Sequence, residues 1–159
     1  MLEWNKVRPT WAEYFMLQAE IAKLRSNCLT RQIGAVIIKD NRQIATGYNG
    51  TPPGIRNCID GGCKRCQERI TGKLNSGVDL ERCLCTHAEA NAILQNSKEC
   101  ENSILYITGE PCIQCAKLIL AVKISRVVYI KGIYPDNGLF LLKTKSKEKN
   151  VMIEEYING

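Results

Sequence analysis

The chain has 159 residues, a formal net charge of +6, nine cysteines and one histidine. Its length suits a single domain, and a chain of this size buries roughly 68–70% of the surface its unfolded form exposes, enough for a core without covalent staples. A hydrophobic fraction of 45% and a charged fraction of 24% exclude collagen, wholesale disorder and a disulfide mini-protein, and no apolar run approaches the roughly 20 residues that span a bilayer.

The first eight residues carry charge and lead into an amphipathic stretch, not into the apolar region of a signal peptide. A cytoplasmic location is therefore expected, and clustered cysteines there read as metal ligands or catalytic groups before disulfides. Thr10 with Glu13 forms a capping-box pattern, and Trp11, Tyr14, Phe15, Gln18, Ala19 and Ala22 fall near helical spacing. A first helix is predicted over residues 10–26. The β-branched run 33–39 reads as a strand buried on both faces. Asp40-Asn41 is a turn signal, and residues 43–48 read as the hairpin partner.

From residue 50 to 86 no helix or strand period is visible. Glycine, proline, asparagine and aspartate are frequent, and five cysteines lie here: Cys58, Cys63, Cys66, Cys83 and Cys85. Unstructured loops longer than about 12–15 residues are uncommon in compact domains, so something other than an apolar core is expected to order this one. Regular patterning then resumes. Helices are expected at 87–96, 111–122 and 139–143, and strands at 103–108, 126–131 and 151–153. Alternating strands and helices imply parallel crossovers in an α/β layered domain. The lysine-rich run 143–149 accounts for much of the positive charge and reads as a solvated surface; the excess charge remains compatible with nucleotides or nucleic acid as anionic partners.

The only histidine stands in His87-Ala88-Glu89, and Pro111-Cys112-Ile113-Gln114-Cys115 follows downstream. Together they match the H-x-E…P-C-x-x-C signature of zinc nucleobase deaminases. One imidazole and two thiolates make a three-ligand zinc set that leaves the fourth tetrahedral position open, the mark of a catalytic site. Cys112 and Cys115, three residues apart at a helix start, can turn both sulfurs to one ion. The partial positive charge of a helix N-terminus favours their thiolates. Glu89, two residues from the histidine, is placed as the proton shuttle. A redox role for the Cys112/Cys115 pair would need a thioredoxin-like context.

Five segments, RPTWAEYFM (8–16), TRQIGAVIIKDNRQIATGYNGTPPG (30–54), CTHAEANAI (85–93), LYITGEPCIQCAKLI (105–119) and RVVYIKGIYPD (126–136), resemble the deoxycytidylate (dCMP) deaminase family over most of the chain. The resemblance implies a three-layer cytidine-deaminase-like fold, with a central mixed five-stranded sheet and helices on both faces, and one deaminase domain over 1–159 carrying a cysteine-rich zinc-binding insertion at about 50–86. It implies hydrolysis of dCMP to dUMP and ammonia, supplying dUMP for thymidylate synthesis. It also implies a homo-oligomer, hexamer favoured, with dCTP as activator, dTTP as inhibitor and Mg2+ accompanying the triphosphate. Asn49, Arg31, Ala88 and Tyr134 are the implied substrate contacts.

Within the insertion, Cys63-x2-Cys66, sixteen residues and Cys83-x-Cys85 approximate a structural-zinc spacing, although the second half is CxC. Family members place cysteines where Cys58, Cys63 and Cys83 stand. The expected ligands of a structural zinc are thus Cys58, Cys63, Cys66 and Cys83, with Cys85 in reserve; free thiols in a mobile loop are the alternative. Cys28 and Cys100 read as ordinary small hydrophobes. Two other functions stay in view. One is a deaminase of tRNA or single-stranded DNA, although 6% aromatic residues argue against the stacking surface such a protein needs. The other is a non-catalytic zinc module, which would not need Glu89.

Overall fold

The computed structural model describes residues 7–132, 137–144 and 151–157. Helix α1 (Trp11–Lys23) begins where the capping box sets it. The Glu13 backbone N–H donates to the Thr10 hydroxyl at 3.2 Å, and the Thr10 N–H donates back to the Glu13 carboxylate at 2.6 Å. Beyond Lys23, residues 24–26 wind on through i→i+3 backbone bonds and not as α-helix.

Strands β1 (Gly34–Lys39) and β2 (Arg42–Tyr48) form the expected hairpin. Asp40 and Asn41 both take left-handed φ, 50° and 56°, the geometry that a two-residue turn requires and that Asp and Asn tolerate. Helix α2 (Lys64–Ile70) and two single 3-10 turns, Cys58–Asp60 and Leu80–Arg82, occupy the segment in which no element was expected. Then follow α3 (Ala88–Gln95), β3 (Ile104–Ile107), α4 (Ile113–Ala121), β4 (Arg126–Tyr129), α5 (Gly138–Lys143) and β5 (Met152–Glu155). Each is close to its expected place.

The five strands make one sheet in the order β2-β1-β3-β4-β5. β1 runs antiparallel to β2 and β3, while β3, β4 and β5 are mutually parallel. Strand alternation divides the core. Ala35 and Ile37 pack with Leu105, Ile107 and Val127 against Ala88, Ala92, Ile93, Ala116, Ile119 and Leu142 of α3, α4 and α5. Val36 and Ile38 face the other way, against Phe15, Met16 and Ala19 of α1. The result is the three-layer α/β fold with a mixed sheet that the sequence led us to expect. Among the described residues no helix is long and apolar enough to cross a membrane.

Close approach of α3 to the sheet depends on Gly47. A Cβ built there would lie 2.0 Å from the Ala88 carbonyl oxygen and 2.5 Å from the Ala92 nitrogen. The Asn91 side chain adds a hydrogen bond to the Tyr48 carbonyl at 2.8 Å. The N-terminus of α3, which carries His87 and Glu89, is thereby fixed against the end of β2.

Candidate active site

His87 is the N-cap of α3 and Cys112 the N-cap of α4. The two helices lie side by side on one face of the sheet and bring both N-termini to one point. His87 Nδ1 stands 3.3 Å from Cys112 Sγ and 3.5 Å from Cys115 Sγ. The Cys115 backbone N–H donates to Cys112 Sγ at 3.4 Å. Cys112 and Cys115 are buried. The Cys112 thiol is pulled down to about 4, first by a hydrogen bond from Cys115 and then by His87; Cys115, as the donor, is pushed far up. The Cys112 sulfur beside it raises the His87 imidazole to about 9.

Glu89, in the first turn of α3, is 3% exposed. Burial pushes its carboxyl up to about 7, against the opposing pull of His87. His87, Ala88 and Glu89 line a cavity of about 400 Å³. The residues expected to contact substrate fall around it unevenly. Arg31, Asn49 and Ala88 line it, whereas Tyr134 lies outside the described residues. The Asn49 side chain is largely committed to the fold: its Oδ1 accepts from Ile33 N–H at 2.8 Å and from the Ser26 hydroxyl at 2.6 Å, and Nδ2 donates to the Arg31 carbonyl at 2.7 Å. It therefore fixes the segment that presents Arg31. Arg65 and Arg69, which the sequence did not single out, also line the cavity. Their i, i+4 spacing on α2 puts them on one helix face, a signal hidden because the helix itself was not visible. Arg65 is held by two hydrogen bonds to the Val78 carbonyl, at 3.1 and 2.8 Å.

Residues 9–131 match the family model of the cytidine and deoxycytidylate deaminase zinc-binding region. The chain belongs to this family. It is 46% identical over 131 residues to the deoxycytidylate deaminase of Schizosaccharomyces pombe, which covers 81% of this chain and 39% of that protein. It is 43% identical over 129 residues to the deoxycytidylate deaminase of Mycobacterium phage D29, covering 78% of this chain and 97% of that protein. The dCMP deaminase of cyanophage S-TIM5, solved in complex with dCMP and dUMP, superposes with a TM-score of 0.72 at 28% identity, covering 94% of this chain and 99% of that one. The chain spans about two-fifths of the length of the two yeast deaminases that it matches.

The donor set of this deaminase-family chain fits zinc. A tetrahedral ion with Zn–S of about 2.3 Å and Zn–N of about 2.0–2.1 Å needs an N···S edge of about 3.6 Å, close to the 3.3 and 3.5 Å found. Nδ1 is the imidazole atom turned to the sulfurs.

The insertion holds a second collection of sulfur, and its membership differs from the expected quartet. Cys28, Cys58, Cys66 and Cys85 form one group whose sulfurs all lie within 4.8 Å of one another; Cys63, Cys66, Cys83 and Cys85 form another. Cys58, Cys63, Cys66 and Cys83 do not make such a group among the described residues. Cys85 belongs to both groups, and Cys28, read from the sequence as a small hydrophobe, sits 4.0 Å from Cys66. The loop after α1 turns back so that Cys28 faces the insertion from outside it. No spacing rule links it to cysteines thirty or more positions on.

Proposed function

We propose that this chain is a zinc-dependent deaminase that hydrolyses dCMP to dUMP and ammonia. The observation that carries the reading is the buried Glu89 carboxyl, 3% exposed and pushed up to about 7, beside His87, Cys112 and Cys115 at a cavity of about 400 Å³. That volume suits a small-molecule ligand. His87, Cys112 and Cys115 would hold zinc, which would supply Lewis-acid activation of water at neutral pH. Glu89 takes a proton from the attacking water and gives it to N3 of the cytosine ring; it then takes the proton of the new C4 hydroxyl and gives it to the departing 4-amino group. Such proton transfer is worth about 10²- to 10⁴-fold. Water adds at C4 and ammonia leaves from it, so the ring ends as uracil.

Arg31, with Arg65 and Arg69 on the same cavity, offers guanidinium groups to the 5′-phosphate. Asn49 keeps one Nδ2 hydrogen for a sugar or base oxygen, and Ala88 packs beside the base. The names of the yeast and phage relatives, and the nucleotides bound to the S-TIM5 enzyme, support dCMP as the substrate. On the family resemblance the proposal extends to a cytoplasmic homo-oligomer, hexamer favoured. It would supply dUMP for thymidylate synthesis under dCTP activation and dTTP inhibition, with Mg2+ accompanying the triphosphate.

A polynucleotide substrate is the weaker reading. Among the described residues no Phe, Trp or Tyr lines the cavity, whereas binding of a single strand uses aromatic stacking platforms. An ammonia-release assay over dCMP, CMP, dCTP and a cytosine-containing oligonucleotide separates the readings. Turnover is expected on dCMP and not on the oligonucleotide; oligonucleotide turnover that falls steeply with salt would support the weaker one.

A further inference from the structure

The insertion is built inside out by ordinary packing standards. Ile55, Ile59, Ile70, Val78, Leu80 and Leu84 are 41–61% exposed, while Cys58, Cys63 and Cys66 are 0% exposed. Among the described residues its interior is a cluster of cysteines joined by the half-buried Leu29. Sulfur, more than aliphatic side chain, fills this interior.

Six sulfurs meet there with a definite pattern. Two groups of four share two members, Cys66 and Cys85. Neighbouring sulfurs stand 4.0 Å apart at Cys28–Cys66, 4.0 Å at Cys63–Cys83 and 3.8 Å at Cys66–Cys83. The edge of a ZnS₄ tetrahedron with bonds of about 2.3 Å is about 3.8 Å, so each group has the size of one tetrahedral ion. A disulfide, with sulfurs about 2.05 Å apart, does not fit these separations. One ion would use four sulfurs and leave two thiols beside it. Two tetrahedra that share an edge use six ligands.

We propose that Cys28, Cys58, Cys63, Cys66, Cys83 and Cys85 form a binuclear zinc–thiolate centre in which Cys66 and Cys85 bridge both ions. Cys28 and Cys58 complete one tetrahedron, Cys63 and Cys83 the other. An all-thiolate donor set selects soft tetrahedral ions, zinc foremost. Six thiolates around two divalent ions leave two negative charges, which backbone donors offset. The Leu29 N–H points to Cys58 Sγ and the Leu84 N–H to Cys63 Sγ, each at 3.4 Å. One donor thus serves a terminal sulfur of each tetrahedron. The centre ties three stretches of chain: the loop after α1 through Cys28, the first half of the insertion through Cys58, Cys63 and Cys66, and its end through Cys83 and Cys85. It forms part of the wall of the substrate cavity, which Cys28, Cys83 and Cys85 line, and it fixes the helix that carries Arg65 and Arg69.

Metal analysis of the intact chain, purified without chelator, tests this. Three zinc ions per chain are expected, one for each ligand set at His87 and at the two cysteine groups. His87→Ala should remove one of them, and Cys28→Ser should remove one from the insertion while leaving the one at His87. Since Cys28→Ser can simply misfold, cadmium-113 NMR of the cadmium-loaded wild-type chain supplies a second readout. Two all-thiolate resonances coupled to each other through shared sulfurs are expected. A total of two zinc ions or fewer, uncoupled cadmium signals, stoichiometric iron with acid-labile sulfide, or disulfides among the six cysteines would each overturn the proposal.

Discussion

Glu89 shows most directly how a residue's surroundings change its protonation. Its carboxyl is raised from 4.5 to about 7 by burial, so folding favours its protonated form. A group of this kind contributes stability that is fully present below the unfolded value of about 4.5 and is lost as pH rises through about 7. In the zinc-stripped chain, Glu89→Gln, which replaces the carboxyl with a neutral amide, should match wild type below about pH 4.5. It should be the more stable protein at pH 8, by up to about 3 kcal/mol. Thermal unfolding midpoints across that range check this; equal midpoints at pH 8 would mean that the carboxyl is solvated. The sequence disclosed His87, Glu89, Cys112 and Cys115 because each pair sits within a few residues on one helix start. Cys28 was not legible, because only the tertiary fold brings it within 4.0 Å of Cys66. Arg65 and Arg69 were hidden for a related reason: their relevance depends on a helix whose buried side is Arg65 and Cys66, with no apolar period to reveal it.

At the scale of elements, the sheet and its flanking helices were readable because aliphatic burial wrote them into the sequence. β1 is buried along five of its six positions and reads as a continuous apolar run. Helix α1 shows its cap and its stripe. α2 escaped because its order comes from cysteine and arginine, not from an aliphatic face. Helix α5 has a role that the sequence did not suggest, since it packs directly on the loop that carries Pro111 and Cys112. A Cβ at Gly138 would meet the Pro111 carbonyl oxygen at 2.0 Å and the Cys112 carbonyl carbon at 2.7 Å. Both contacts are backbone, so Gly138→Ala must push α5 away from Cys112 or shift Cys112 itself. Overpacking of this kind typically costs about 1–3 kcal/mol. The variant should unfold earlier on heating and hold the zinc at His87 less tightly. A chelator competition assay that finds unchanged zinc affinity and an unchanged melting point would remove α5 from the support of the site.

Across the whole molecule, the division of labour follows from where each kind of interior lies. Two aliphatic layers on either side of the sheet hold the scaffold, and the sulfur-lined interior holds the insertion that walls the cavity. The scaffold delivers His87, Glu89, Cys112 and Cys115; the insertion delivers Arg65 and Arg69. A proton shuttle beside a three-ligand zinc set, inside a cavity of about 400 Å³, is what the account rests on. The most direct test measures ammonia release from dCMP together with zinc content for wild type and Glu89→Ala. The account predicts that the variant keeps the zinc at His87, Cys112 and Cys115 and loses at least about 10²-fold in turnover. A zinc-replete Glu89→Ala chain that deaminates dCMP at the wild-type rate would contradict it.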